Sequence, residues 1–203
     1  MGRVEGGVDG RDQDDVQVRA AQRGDRKAFE ALVIRYQDRI YNACFRVMGD
    51  GEEARDCAQE TFIKAYRSLK TFRFEAAFGT WLYAIAVNTC RNRLQSAAYR
   101  VKRKTIPLHA PADEDPGGCI AELQDPSLSP LEQLSRKEGE RRLQRAIAAL
   151  PDVPRTLIVL RDIEGLSYEE LAQATGLELG TVKSGLARAR ARLRENFKGE
   201  ATG

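Results

Sequence analysis

Apolar residues recur at helical spacing in two separate stretches of the chain. In the first, Phe29, Leu32, Val33, Tyr36, Ile40, Cys44 and Val47 follow the three-and-four step that gathers side chains on one helix face, and Gly49-Asp50-Gly51 ends the run. A second helix, from about Glu52 to Leu69, is predicted with Ala54, Ala58, Phe62, Ala65 and Leu69 on one side. A third runs from Thr80, a suitable N-cap, to about Ala97 and contains Trp81, Leu82 and Ile85. The second stretch opens with an amphipathic run from Leu131 to Leu150, followed by Pro151 and Pro154, and shorter helices are predicted near 155–163, 168–174 and 180–197. No strand pair or internal repeat interrupts this pattern. The expected fold is all-α, two small helical domains on a flexible tether.

The tether is legible in the turn-formers. Five of the seven prolines (Pro107, Pro111, Pro116, Pro126 and Pro130) lie with Gly117-Gly118 between the two stretches, so residues 99–130 read as a Pro/Gly-rich linker. A length of 203 residues suits two small domains, and 42% apolar with 31% charged residues excludes a collagen, a disulfide-dense miniprotein and a wholly disordered chain. The longest apolar run, Trp81 to Val87, is far short of the roughly 20 residues that span a bilayer. Met1 to Asp15 is rich in Gly and Asp without the apolar segment of a secretory signal, and is expected to be a disordered tail. These features imply a soluble, cytoplasmic protein with no membrane insertion of its own.

A net charge of +3 conceals a division. Residues 1–15 carry net −3, 16–98 net +5, 99–135 net −2 and 136–203 net +3, so both helical blocks are basic. Candidate chemistry is sparse. Cys44, Cys57, Cys90 and Cys119 contain no C-x-x-C pair and His109 is the only histidine, so reduced thiols are expected rather than a metal site. There is no second histidine for a relay, no G-x-S-x-G, no Walker-type loop and no H-E-x-x-H. No catalytic residue, metal or cofactor is assigned, and a non-enzymatic role is expected.

The C-terminal block has the pattern of a helix-turn-helix. Ser167-Tyr168-Glu169-Glu170 is a capping box, Leu171 and Ala172 face inward, and Gly176 supplies the turn. The following helix has Val182, Leu186, Ala189, Leu193 and Phe197 as its inner stripe, with Lys183, Arg190 and Arg194 on one flank and Arg188 and Arg192 on the other. In this motif the second helix lies in the major groove, where cationic flanks suit phosphates. Thr181, Lys183, Ser184 and Arg188, near its start, are the candidates for reading bases. An ordinary solvated Arg-rich helix would explain the charges alone, but not the capping box, turn glycine and stripe together.

Seven of the fourteen aromatic residues fall between 62 and 83 (Phe62, Tyr66, Phe72, Phe74, Phe78, Trp81 and Tyr83). Phe62 and Tyr66 read as core. The stretch Thr71 to Gly79 interrupts the helices with aromatics beside basic residues, the means by which proteins stack unpaired bases; one or two of Phe72, Phe74 and Phe78 serving as core plugs is the competing reading. On the second helix Glu52, Asp56, Gln59, Glu60, Ile63 and Arg67 share a face opposite the apolar side. That face is either simply solvated or a docking surface for a basic protein partner.

Taken together, Ala54-Arg-Asp-Cys-Ala-Gln-Glu-Thr-Phe62, Phe78-Gly-Thr-Trp-Leu-Tyr-Ala-Ile-Ala86, Gly165-Leu-Ser-Tyr-Glu-Glu-Leu-Ala172 and Gly180-Thr-Val-Lys-Ser184 resemble bacterial RNA polymerase sigma factors of the sigma-70 family, in the two-domain extracytoplasmic-function (group IV) type. The resemblance covers roughly residues 16–98 and 131–197. It implies a region 2-like domain over 16–98 and a region 4-like domain over 131–198, which bind core RNA polymerase, direct it to promoters and help open the DNA. Asp56, Gln59, Glu60, Phe62 and Ile63 would dock on the coiled coil of the polymerase's largest subunit, with the flap region as a second contact. Phe72, Arg73, Phe74, Phe78, Trp81, Tyr83, Asn88 and Arg91 would engage the minus-ten element, where flipped bases are captured. Tyr168, Glu169, Thr181, Lys183, Ser184, Arg188, Arg190 and Arg192 would engage the minus-thirty-five element. An anti-sigma factor is a further implied partner.

Departures from the family pattern are local. Ala84 and Val87 stand where many relatives carry a basic residue, Gly185 where many carry Arg, and Arg55 where an acidic residue is frequent. The promoter elements lie about 85 Å apart at 3.4 Å per base pair, and residues 99–130 can extend to roughly 110 Å. The tether therefore reaches, and Asp113, Glu114 and Asp115 would suit a cationic channel in the polymerase. The alternative reading is an autonomous helix-turn-helix regulator with an N-terminal sensor or dimerisation domain, which leaves the carboxylate face and the aromatic loop without a role. A helical nucleic-acid enzyme lacks any catalytic constellation.

Overall fold

The computed structural model describes residues 9–96 and 130–199, and the expected linker, His109 and Cys119 lie outside them. The described residues are helical, without strands: α1 (Asp9–Gln22), α2 (Arg26–Met48), α3 (Gly51–Ser68), α4 (Phe78–Gln95), α5 (Pro130–Ala148), α6 (Asp152–Ile158), α7 (Tyr168–Thr175) and α8 (Leu179–Gly199). Asp25 starts α2 by accepting the amides of Lys27 and Ala28 at 3.0 and 3.3 Å, and Gly49 closes it in a left-handed conformation with its N–H on the Phe45 carbonyl. Asp50 then caps α3 through the Glu53 amide at 3.0 Å. Each cap satisfies backbone groups that a helix end leaves without partners.

On α2, Leu32, Tyr36, Ile40, Cys44 and Val47 of the expected stripe are buried, while its other two members, Phe29 and Val33, are only half-buried at the edge. On α3 the buried set is Ala54, Cys57, Ala58, Thr61 and Ala65, small residues that accommodate the bulk of α2. This corrects the expectation for Phe62 and Tyr66. Phe62 is only half-buried and Tyr66 is 50% exposed, because the core takes the Ala/Cys side of the helix and leaves the aromatic side at its rim. Cys44, Cys57 and Cys90 are free buried thiols, and the hydrogen bond between Cys57 and Cys90, with burial, pushes the Cys57 thiol well up. Low thiolate content makes such groups unreactive.

Three further expectations change. The tail expected over 1–15 is helical from Asp9 onward, held because Asp14 is buried and accepts from Tyr36 Oη and Arg35 on α2. Thr80 is not an N-cap: α4 begins earlier, after Ala77, and Thr80 is a buried residue of its first turn. Phe197, the last member of the predicted α8 stripe, is 38% exposed beneath the Arg142 guanidinium, whereas Val182, Leu186 and Ala189 are buried.

The C-terminal helices pack directly on the N-terminal ones, chiefly α7 on α4 and α5 on α2. Arg155, 4% exposed, lies at this junction and donates to the carbonyls of Val47 (2.6 Å), Ala148 (2.7 Å) and Leu150 (2.7 Å). Its charge thus sits at the carbonyl ends of α2 and α5, where helix dipoles favour a cation. After α6 the chain continues through one π-helical turn, Val159–Ile163, and Glu164 follows at its end.

Candidate nucleic-acid and polymerase interfaces

The helix-turn-helix is built from local chemistry. Ser167 Oγ accepts the Glu170 amide at 3.1 Å while Glu170 accepts the Ser167 amide at 2.8 Å, completing the capping box of α7. Gly176 ends α7 at φ 71°, a conformation that a Cβ would disfavour, and the chain turns directly into α8. Thr181, Lys183, Ser184, Arg188 and Arg192 are all exposed on α8, as is Glu169 on α7. Tyr168 is half-buried with the Arg161 guanidinium 4.8 Å above its ring. Arg190 is engaged elsewhere: its Nε and Nη2 meet Asp162 at 3.0 and 2.5 Å, which raises its already high pKa further. A phosphate would have to compete with that bidentate pair. Gly185 faces inward, since a Cβ there would lie 2.8 Å from Leu157 Cδ1, so its lack of a side chain serves the α6–α8 contact.

The aromatic segment divides between core and surface. Phe72 and Phe78 are buried, with the Phe78 ring edge-on to Tyr36 at 5.6 Å and to Phe72 at 6.1 Å. Trp81 is half-buried, 5.0 Å from Phe72 and 5.7 Å from Phe78. Tyr83 is 2% exposed and gives its hydroxyl to Glu164, while Arg39 lies beside both. Phe72, Phe78 and Tyr83 therefore lack a free face in this conformation: packing, not base capture, occupies them. Arg73, Asn88 and Arg91 are exposed and Phe74 is half-buried.

On α3, Asp56, Gln59 and Ile63 are exposed and Glu60 is half-buried, with the Asp56 side chain 61% accessible. Arg93 of α4 reaches the carboxylates of Glu53, Asp56 and Glu60 at 3.6–4.0 Å, and Lys64 pairs with Glu60 at 2.7 Å. Beside them a shallow apolar groove is lined by Phe29, Val33, Phe62, Ile63 and Tyr66, with the Phe29 and Tyr66 rings 5.0 Å apart. Phe29, Val33 and Tyr66 were not singled out from the sequence for this face. The available signal was that Tyr66 stands three residues from Ile63 and seven from Gln59, which is the same helix face. Among the described residues no cluster of His, Cys, Asp or Glu could hold a metal ion, and no helix is long and apolar enough to cross a membrane.

Comparison with known proteins places both blocks in one context. The family model for sigma-70 region 2 matches residues 32–100 and that for sigma-70 region 4 matches residues 140–193. The RNA polymerase sigma-H factor of Pseudomonas aeruginosa is 39% identical over 179 residues, 88% of this chain and 91% of its own length. The ECF RNA polymerase sigma-E factor of Escherichia coli is 40% identical over 178 residues, 87% of this chain and 90% of its own. The sigma factor RpoE from Bartonella quintana, solved with the anti-sigma factor NepR, shares the fold at a TM-score of 0.62 and 22% identity, covering 85% of this chain and 98% of that one. With both blocks matching one family in its order, the reading that gave the first block a separate sensor or dimerisation role is set aside. The chain belongs to the sigma-70 family of bacterial RNA polymerase sigma factors, in its extracytoplasmic-function group.

Proposed function

We propose that this sigma factor directs core RNA polymerase to promoters through three separate surfaces. The α3 face of Asp56, Gln59, Glu60, Phe62 and Ile63, extended by the groove of Phe29, Val33 and Tyr66, docks on the largest subunit's coiled coil. What supports this is an exposed combination of carboxylates and apolar side chains on one helix of a basic block, a surface suited to a partner helix with basic residues around an apolar seam. The loop and α4, with Arg73, Asn88 and Arg91 exposed and Phe74 and Trp81 half-buried, take the minus-ten element; Phe72, Phe78 and Tyr83 support that surface from beneath. Thr181, Lys183, Ser184, Arg188 and Arg192, with Glu169 and Tyr168, take the minus-thirty-five element, and Arg190 joins them once released from Asp162.

The single observation that carries the reading is the presence on one chain of a capped helix-turn-helix with an open polar start to its second helix and, more than 100 residues away, an acidic–apolar docking face. The polymerase supplies the chemistry, so the chain needs no catalytic group or cofactor, and it acts in the cytoplasm. The flap region is the second polymerase contact, and an anti-sigma factor is the regulatory partner. The test is run-off transcription from fragmented genomic DNA of the source organism with core polymerase, with and without the protein. New discrete start sites that depend on the protein are expected. None appearing, together with failure to co-elute with core polymerase, overturns the proposal.

A further inference from the structure

Phe74 has φ 62°, the only positive value among the described non-glycine residues. A bulky residue rarely adopts this left-handed conformation, and it persists only where neighbours over-determine it. Those neighbours come from α1, outside every motif singled out in the sequence. Arg19 holds its guanidinium 4.2 Å over the Phe74 ring. Gln22, three residues on and so on the same face of α1, donates from Nε2 to the Leu69 and Phe72 carbonyls, each at 2.9 Å. The Phe72 ring meets Phe74 edge-on at 4.9 Å. The loop is thus pinned at its entry by an amide and at its tip by a cation, both from one helix. Arg19 is itself exposed, and no ion pair claims it among the described residues.

We propose that Arg19 and Gln22 are positioning residues for capture of the unpaired promoter strand: they hold Phe74 in its left-handed conformation, with one ring face covered by Arg19 and the remaining surface presented to a base. The proposal rests on the reading that this loop engages melted minus-ten DNA. The covered ring face is physically significant, because a cation above it stabilises one ring orientation and blocks that side to an intruding base. The two carbonyl contacts of Gln22 fix the backbone on entry to the loop, from which Phe74 is held. A loop ordered before the strand arrives gives up less conformational entropy on binding.

The test uses holoenzyme assembled from core polymerase and full-length variants, on a promoter mapped by the run-off experiment. A fluorescent base analogue in the minus-ten region reports opening, and a gel-shift at low temperature reports the closed complex. Arg19→Ala and Gln22→Glu, which keeps the shape but loses the donor, are expected to slow opening about fivefold each while closed-complex affinity is unchanged. Arg19→Lys, which retains a cation over the ring, is expected to restore most of the rate. Phe74→Gly supplies the backbone conformation without the ring, so on that background Arg19→Ala is expected to add nothing. Additive losses in that cycle overturn the proposal, because Arg19 would then act on DNA directly. If Phe74→Ala slows opening but neither α1 substitution does, the brace alone is overturned. If Phe74→Ala leaves opening unchanged, the reading of the loop falls and the brace with it.

Discussion

Thr80 Oγ1 donates to Glu170 Oε1 at 3.0 Å, joining the first turn of α4 to the capping-box carboxylate of α7 across 90 positions of sequence. Glu170 therefore completes a local cap and a long-range contact with one carboxylate. Burial disfavours its charge, but hydrogen bonds from the Ser167 amide and from the Thr80 and Ser167 hydroxyls outweigh that and hold its pKa below the ordinary 4.5. A depressed folded-state value contributes stability that is fully present above the unfolded value and is lost as pH falls through the folded one. Glu170→Gln should lower the stability of the C-terminal block by about 1 kcal/mol at neutral pH. Its melting temperature should converge with that of the parent protein as the pH drops below 4.5. A constant difference across that range would refute the assignment.

The same interface contains a second polar junction. Glu164, only 7% accessible at its side chain, accepts from Tyr83 Oη, and Arg39 approaches its carboxylate at 3.5 Å. If α4 and α8 take the two promoter elements as proposed, a separation of about 85 Å requires α7 to leave α4 on promoter engagement. Tyr83→Phe is expected to favour the separated arrangement about tenfold, reflecting the loss of one charge-assisted hydrogen bond in a buried setting. Energy transfer between dyes on the two blocks should fall. Transfer identical to the parent protein would mean that the junction does not govern closure.

Docking can be separated from folding because Asp56 and Tyr66 are exposed and Glu60 keeps much of its side chain accessible. Asp56→Arg with Glu60→Arg should abolish co-elution with core polymerase, since it reverses the sign of the face and sets like charge against Arg93. Tyr66→Ala should weaken core binding about tenfold, a typical cost for an aromatic anchor, with little change in melting temperature. Unchanged affinity in both variants would remove α3 from the polymerase interface.

Arg155 is the most sensitive position predicted for the fold. Replacing it with Ala leaves the Val47, Ala148 and Leu150 carbonyls without their buried donor and should cost about 3 kcal/mol or more, read as a shift in the denaturation midpoint. Arg155→Met retains the stem but not the hydrogen bonds, so a comparable loss is expected. A near-neutral Met variant would show that packing alone maintains the junction.

Residues 97–129 aside, what could be read along the chain was governed by neighbours within about one helical turn. The α2 stripe, the Ser167 capping box, the Gly49 and Gly176 stops and the open polar start of α8 all depend on residues three or four apart, and all were legible from spacing. So were the family's motifs, whose order survives in the linear chain. What depended on distant partners was not. Nothing local marks Asp9–Gln22 as a helix, because its Gly- and Asp-rich start resembles a solvated tail until Asp14 meets Tyr36 and Arg35 more than 20 residues away. Helical periodicity alone did not decide which flank of α3 would face α2, and so Tyr66 was assigned to the core. Likewise Thr80 reads as a helix cap and Tyr83 as a DNA contact until Glu170 and Glu164 engage them across the fold. Spacing along the chain was enough for the helices of the two main blocks, several of their ends and the family; tertiary packing decided the helix of Asp9–Gln22, the start of α4, which aromatic rings remain accessible and how α7 closes over α4, because burial is a property of the neighbours a residue acquires on folding.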